Sequence, residues 1–200
     1  MDEFFAELKA CAEREELSEF CRRKLLHGTP HVFAEREDDF YHFRERIAQH
    51  FSIHYNDIVI TGSAKLGFSP FKRKKFDLDS DIDVAIVSLE LFDNHLDRIA
   101  DYQYELRESR KTVSEQELSK YHNFLEYVAL GWIRPDLIPD SFRLDIFRQE
   151  WFDFFRSISY GESEVGNYKV SAGIFKSPPH LERYQRSGME KIARSLMVGR

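Results

Sequence analysis

Asp81 and Asp83 stand two apart in Asp81-Ile82-Asp83-Val84-Ala85-Ile86-Val87, directly ahead of an apolar run. On a strand, that spacing sets both carboxylates on one face, with Cα atoms roughly 6.6–7 Å apart. Two like charges so close repel unless a cation lies between them, so the pair suits a hard divalent ion. Magnesium takes one or two carboxylates together with phosphate oxygens. Upstream, Gly62-Ser63 closes the β-branched run Asp57–Thr61. A glycine and a small hydroxyl there let backbone N–H groups and the serine Oγ come close to a phosphate. A third acid, Asp145, stands alone in the apolar stretch Ser141–Phe147, where burial without a partner is costly. On a strand beside the first pair it completes a three-carboxylate site for two cations; otherwise it pairs with Arg143 or Arg148.

Between Ser63 and Asp81 lies a long spacer with four consecutive cations, Lys72, Arg73, Lys74 and Lys75. Two uses are open to them. They balance Asp77 and Asp79 in a solvated loop, or they form a clamp on a triphosphate or an acceptor strand and supply local positive charge. The eight histidines show no metal-ligand spacing, and His50 with His54 reads as a surface pair at a helix end.

These residues need elements to hold them. Asp2–Leu26 and Val32–Phe51 carry apolar residues at spacings of three and four and read as amphipathic helices. Asp57–Thr61 and Asp81–Ser88 read as strands, the second apolar enough for the middle of a sheet. Leu91–Glu108 and Glu115–Leu130 read as helices, the latter opened by a Ser114/Glu117 capping box. Ser141–Phe147 reads as a third strand, followed by an aromatic helix over Trp151–Ile158 and a strand over Tyr168–Phe175. The last helix begins at Ser177-Pro178-Pro179 and runs to about Met197. The expected fold class is α/β (α+β): one domain, with N-terminal helices over 1–55, a core over 56–150 and a helix-strand-helix over 151–200.

Strand, Gly62-Ser63, spacer, Ser80-Asp81-Ile82-Asp83-Val84, and a later lone acid resemble the nucleotidyltransferase superfamily, with its polymerase-β-like fold. The string from Gly62 to Phe68 with Ser80–Ser88 is similar to small bacterial nucleotidyltransferase-domain proteins. The resemblance implies a small mixed sheet flanked by helices. It implies that Asp81, Asp83 and Asp145 hold Mg2+ or Mn2+ and form the catalytic site. Gly62, Ser63, Lys65, Ser80 and Lys176 would bind nucleotide, and Lys169, Lys176 and Ser177 lie where they could reach the outer phosphates. The implied chemistry is attack of a hydroxyl on the α-phosphate of a nucleoside triphosphate, with pyrophosphate leaving, in signalling or antiviral (phage) defence. Nucleic acid, nucleotide, protein and small molecule remain open as acceptors, as do self-assembly and a partner protein.

Composition bounds the alternatives. The chain has 200 residues, 42% hydrophobic and 32% charged, enough apolar content for one core and too much for a disordered tail. Its 35 acids against 29 bases give a net charge of −6, so no global positive field draws in nucleic acid. Cys11 and Cys21 are too few for a disulfide framework and are expected as reduced core thiols. No basic start with an apolar run suggests a signal peptide, and Ile82–Val87 is too short to span a bilayer, so a cytoplasmic, membrane-free protein is expected. Other D-x-D users are manganese-dependent glycosyltransferases and HAD-type phosphatases. The latter place the motif near the N-terminus with Thr or Val where Ala85 stands, and the Gly62-Ser63 turn favours nucleotidyl transfer over both. A non-catalytic nucleotide-binding or antitoxin-like module is the reading outside enzymes.

Overall fold

Ile58, Ile60, Ile82, Val84, Ile86, Val170 and Ile174 alternate along three strands, and burial of this one set of side chains organises the fold. The computed structural model describes residues 1–108, 112–138 and 148–198, and its architecture is mixed α+β. The strands are β1 (Ile58–Thr61), β2 (Phe68–Ser69), β3 (Lys74–Lys75), β4 (Ile82–Val87), β5 (Trp132–Ile133) and β6 (Val170–Phe175). The main sheet has the order β1-β4-β6-β5, while β2 and β3 form a separate ribbon. β4 runs antiparallel to β1 and parallel to β6, and β5 runs antiparallel to β6.

Helices cover both faces. The apolar set above packs against α3 (Glu37–Phe51), α5 (Leu89–Arg107), α6 (Glu115–Ala129) and the short α7 (Asp153–Ser157), through Phe43, Ile47, Phe92, Ile99, Phe124 and Phe155. Ala85 and Phe175 face the other way and meet Leu181 of α8 (Pro178–Val198). With both faces covered, β4 reads as a continuous apolar run rather than an alternating one. Ser88 Oγ accepts from Leu91 N to cap α5, and the Ser114/Glu117 capping box opens α6. No helix among the described residues is long and apolar enough to cross a membrane.

The N-terminal half departs from the expected pattern. The helix read over Asp2–Leu26 breaks at Glu15, which takes a left-handed φ of 62°. The break yields α1 (Asp2–Glu13) and α2 (Leu17–Cys21), which runs on as a π turn over Arg22–Leu26. Folded back, Phe4, Leu8, Phe20, Cys21 and Leu25 all reach Met189, Ile192 and Ala193 of α8, which a straight helix could not arrange. Both cysteines are free, and burial pushes the Cys21 thiol up to about 12. The helix read over Val32–Phe51 likewise starts as a single 3-10 turn, His31–Phe33, before α3. The 151–200 segment is no appendage, because its strand β6 lies at the centre of the sheet. The expected strand over 141–147, with Asp145, lies outside the described residues.

Lys65 corrects a second expectation. It sits in the short α4 (Gly62–Leu66), and its buried ammonium donates to the carbonyls of His27 and Gly28, the latter at 2.6 Å. It ties the sheet's first turn to the end of α2 and is unavailable to a nucleotide. Burial accordingly pushes its pKa down. Lys65→Ala should cost about 2 kcal/mol, since hydrogen bonds to charged groups contribute about 1.5–3 kcal/mol, and should leave divalent-ion affinity unchanged. Urea denaturation and manganese titration of the same variant check both halves.

Candidate metal and phosphate site

Antiparallel pairing brings the end of β1 to the start of β4, with Thr61 in register with Asp83. The residue after Thr61 is Gly62, at a φ of 66° where side chains are disfavoured. A Cβ on Gly62 would lie 2.7 Å from Asp83 Oδ2, so the missing side chain is what lets this turn close over the carboxylate. Ser63 follows in the first turn of α4. The Gly62-Ser63 turn and the acid pair, separated in sequence, are thus brought together.

On the other edge of β4, parallel pairing sets Ser171 in register with Asp83, and its Oγ donates to Asp83 Oδ1 at 3.3 Å. One pleat earlier, Lys169 Nζ lies 3.6 Å from Asp81 Oδ2. Both edges of β4 are therefore used, by β1 and β6, and Ser171 stands beside Asp83 on the neighbouring strand, while Asp145 lies outside the described residues. Ser171 escaped the sequence reading. Its signal was the alternation Lys169, Ser171, Gly173 against Val170 and Ala172, which puts two polar residues and a glycine on one face.

Asp83 keeps an open side to water, yet the surrounding protein removes enough of it to raise the carboxyl pKa above the usual range. Asp81 raises it further, while Ser171, Lys169 and Lys72 pull the other way. The balance leaves Asp83 short of positive charge. Its carboxylate and that of Asp81 are exposed hard oxygen donors, a donor set that fits a magnesium or manganese ion completing its shell with water and phosphate oxygens. Among the described residues no cluster of three or more His, Cys, Asp or Glu side chains forms a metal site.

Two other expected ligands are occupied elsewhere. Ser80 Oγ donates to Asp77 Oδ1 and accepts from Asp77 N, locking the turn that delivers the chain into β4. Lys176 lies beyond the far end of β6, roughly 16 Å along the strand from Ser171. Its Nζ is 3.9 Å from Asp93 Oδ1 and lies over the Phe92 ring, so it serves the start of α5. The basic spacer forms the β2–β3 ribbon instead of an irregular loop. Lys74 pairs with Asp77 at 2.7 Å and reaches Asp79 at 3.9 Å, which is the charge-balancing role for that one cation. His50 stacks on Phe154 and His54 caps a 3-10 turn.

Further along the same face of β6, Gly173 leaves space for the Trp132 indole, whose Nε1 would lie 2.5 Å from a Cβ there. Trp132 stacks on Phe175 and meets Tyr184 of α8 at 4.3 Å between centroids. Burial first, and the nearby Asp83 charge among smaller causes, hold the Tyr184 hydroxyl above its usual pKa. An aromatic wall thus stands on the sheet face that carries Asp83, one pleat repeat along β6 from Ser171. No protein-family model, curated protein or solved structure matches this chain.

Two substitutions test the geometry. Gly62→Ala should destabilise by at least about 1–2 kcal/mol through its left-handed φ alone, and should weaken manganese binding by displacing the Asp83 carboxylate. Because the folded state raises the Asp83 pKa, ionised Asp83 opposes folding above that pKa, and the penalty disappears as pH falls and both states are protonated. Asp83→Asn should therefore raise the melting temperature of the metal-free protein at pH 7, with the gain shrinking toward pH 4. A lower melting temperature at pH 7 would contradict the charge balance described.

Proposed function

We propose that this protein is a metal-dependent nucleotidyltransferase, transferring a nucleoside monophosphate from a nucleoside triphosphate to a hydroxyl acceptor with release of pyrophosphate. The observation that carries the reading is the closure of the Gly62 turn over the Asp83 carboxylate, with Asp81 one pleat away on the same strand face: two like-charged oxygen donors beside a glycine–serine turn. A divalent ion bound by Asp81 and Asp83 would supply charge neutralisation at the α-phosphate and the leaving group.

The chain's own residues divide the remaining work. Ser171 Oγ holds Asp83 Oδ1 in place, fixing the direction in which the carboxylate faces. Lys169, paired with Asp81, is a cation at the carboxylates that would offset negative charge growing as the bond to pyrophosphate breaks. Gly62 lets the turn close on Asp83 without a side chain in the way, and Ser63 offers the phosphate a hydroxyl and an N–H. Trp132 and Tyr184 give the nucleoside an apolar surface one pleat away. The acceptor hydroxyl forms the new bond to the α-phosphorus as the bond to pyrophosphate breaks, and its proton passes to solvent water.

One observation favours a second reading. Among the described residues the strand position beside Asp83 carries a serine and no third acid joins the pair, which suits a module that holds a metal–nucleotide complex without turnover. Measuring triphosphate binding and pyrophosphate release on the same sample separates the two. Under the first reading each of the four triphosphates is offered with magnesium, one or more releases pyrophosphate, and Asp81→Ala or Asp83→Ala lowers kcat/KM at least about a thousandfold, equivalent to about 4 kcal/mol. Binding without release, unchanged by acceptors of every class, would assign the second. Full activity in either alanine variant would remove that carboxylate from the chemistry and overturn the paired-carboxylate site.

A further inference from the structure

The four-cation run does not act as one patch. Lys74 is engaged with Asp77 and Asp79, whereas Lys72, Arg73 and Lys75 have no carboxylate partner among the described residues. All three are exposed at the tip and returning strand of the β2–β3 ribbon. Arg73, held at a φ of 50°, lies over the Phe5 ring at 5.3 Å, which fixes the tip against α1. Next to these cations Phe71 is 63% exposed. Its ring edge rests against α8 at Gly188, where a Cβ would lie 3.2 Å from Cζ. Gly188 therefore lets the ring lean on the helix while leaving it open to solvent.

A fixed, solvent-facing aromatic ring among unpaired cations is an unusual surface on a chain of net charge −6. Cations without acidic partners attract a polyanion, and an open ring attracts flat apolar groups. A nucleic-acid strand offers both at once. The bases must be free to leave their neighbours and stack on a side chain, which a duplex resists and a single strand allows. The ribbon also adjoins the carboxylate turn: it leaves α4, whose Gly62 closes over Asp83, and returns to it where Phe76 N donates to Gly67 O. We propose that the β2–β3 ribbon binds single-stranded nucleic acid, with Phe71 stacking on a base and Lys72, Arg73 and Lys75 holding its phosphates, so that the strand is the hydroxyl-bearing acceptor. This rests on the nucleotidyltransferase reading for the acceptor role alone; binding by the ribbon stands independently of it.

Fluorescence anisotropy with labelled oligomers of about ten nucleotides, oligo(U) and oligo(dT), tests the surface against a length-matched abasic oligomer carrying the same charge. The two sugars tell RNA from DNA, and binding of either supports the ribbon. The base-bearing strands should bind more tightly than the abasic one. Phe71→Leu, which keeps an apolar contact with Gly188 and loses the aromatic face, should weaken them about tenfold and leave the abasic oligomer unaffected. Replacing Lys72, Arg73 and Lys75 together by Gln should flatten the slope of log affinity against log salt by about two, at about 0.7 per phosphate contact. Equal affinity for base-bearing and abasic strands, an inert Phe71→Leu, or an unchanged salt slope would overturn the proposal. Manganese titration of the same samples separates its failure from that of the enzymatic reading. Lost strand binding with metal binding intact overturns only the ribbon. Strand binding beside an Asp81→Ala variant with undiminished metal affinity overturns only the metal site.

Discussion

Two carboxylates one pleat apart cannot be drawn toward a protein interior without compensation, and the arrangement around β4 answers that constraint. Asp81 and Asp83 stand at the entrance of a strand whose next residues are buried on both faces. Moving the pair deeper would leave ionised oxygens without water; moving it outward would lose the fixed geometry the strand supplies. The observed compromise keeps one side of Asp83 open and lines the others with Ser171, Gly62 and the lysines at 72 and 169. None of these neutralises the pair completely, so charge is left over for a ligand.

Strand direction decides which residues join that pair. Ligands of open parallel sheets usually gather beyond the carboxyl ends of the strands. Here Asp83 lies at the amino end of β4 and Ser171 at the amino end of the parallel β6, while β1 arrives by its carboxyl end. The antiparallel β1 is therefore what makes the end useful, because it delivers a turn, Gly62-Ser63, to the place where the other two strands begin. The long connection from β4 to β6 follows from the parallel pairing, which a tight hairpin cannot make. It carries α5 and α6 onto the face opposite α8.

Much of this was legible because the relevant signals are local. The period-two acids, the apolar run after them and the glycine closing β1 each specify a conformation within a few residues. What escaped depends on relations between distant segments. Lys176 follows the last strand in sequence, and it would stand near Asp83 if β6 ran antiparallel to β4; nothing in either strand's residues states the direction. Lys65 sits three residues from Gly62, yet its ammonium turns to the carbonyls that end α2, a contact created by the fold-back at Glu15. That fold-back is invisible to helical periodicity, since the apolar spacing continues through it and only packing on α8 rewards the break. Ser171 was passed over because a lone serine in a strand has no chemical signature until the register puts it beside a carboxylate.

The formal charges at the site bear on the order in which its ligands arrive under the proposed reading. Asp81 and Asp83 bring two negative charges, and the ion pair with Lys169 cancels one. A bare divalent ion would leave this group positive overall, and it would meet the repulsion of Lys169 and of Lys72 as it entered. A triphosphate without metal would meet the carboxylates. Each ligand alone is thus opposed by one half of the site, and the two together satisfy both halves, the metal against the carboxylates and the outer phosphates against the lysines. At the short distances inside a partly desolvated cleft such terms are screened far less than at an open surface. Metal and triphosphate then bind cooperatively, each raising the affinity for the other by the same factor. Under the proposed reading, the cations near the acids therefore do more than offset a surplus of negative charge: they would favour a metal-bound polyphosphate over either component.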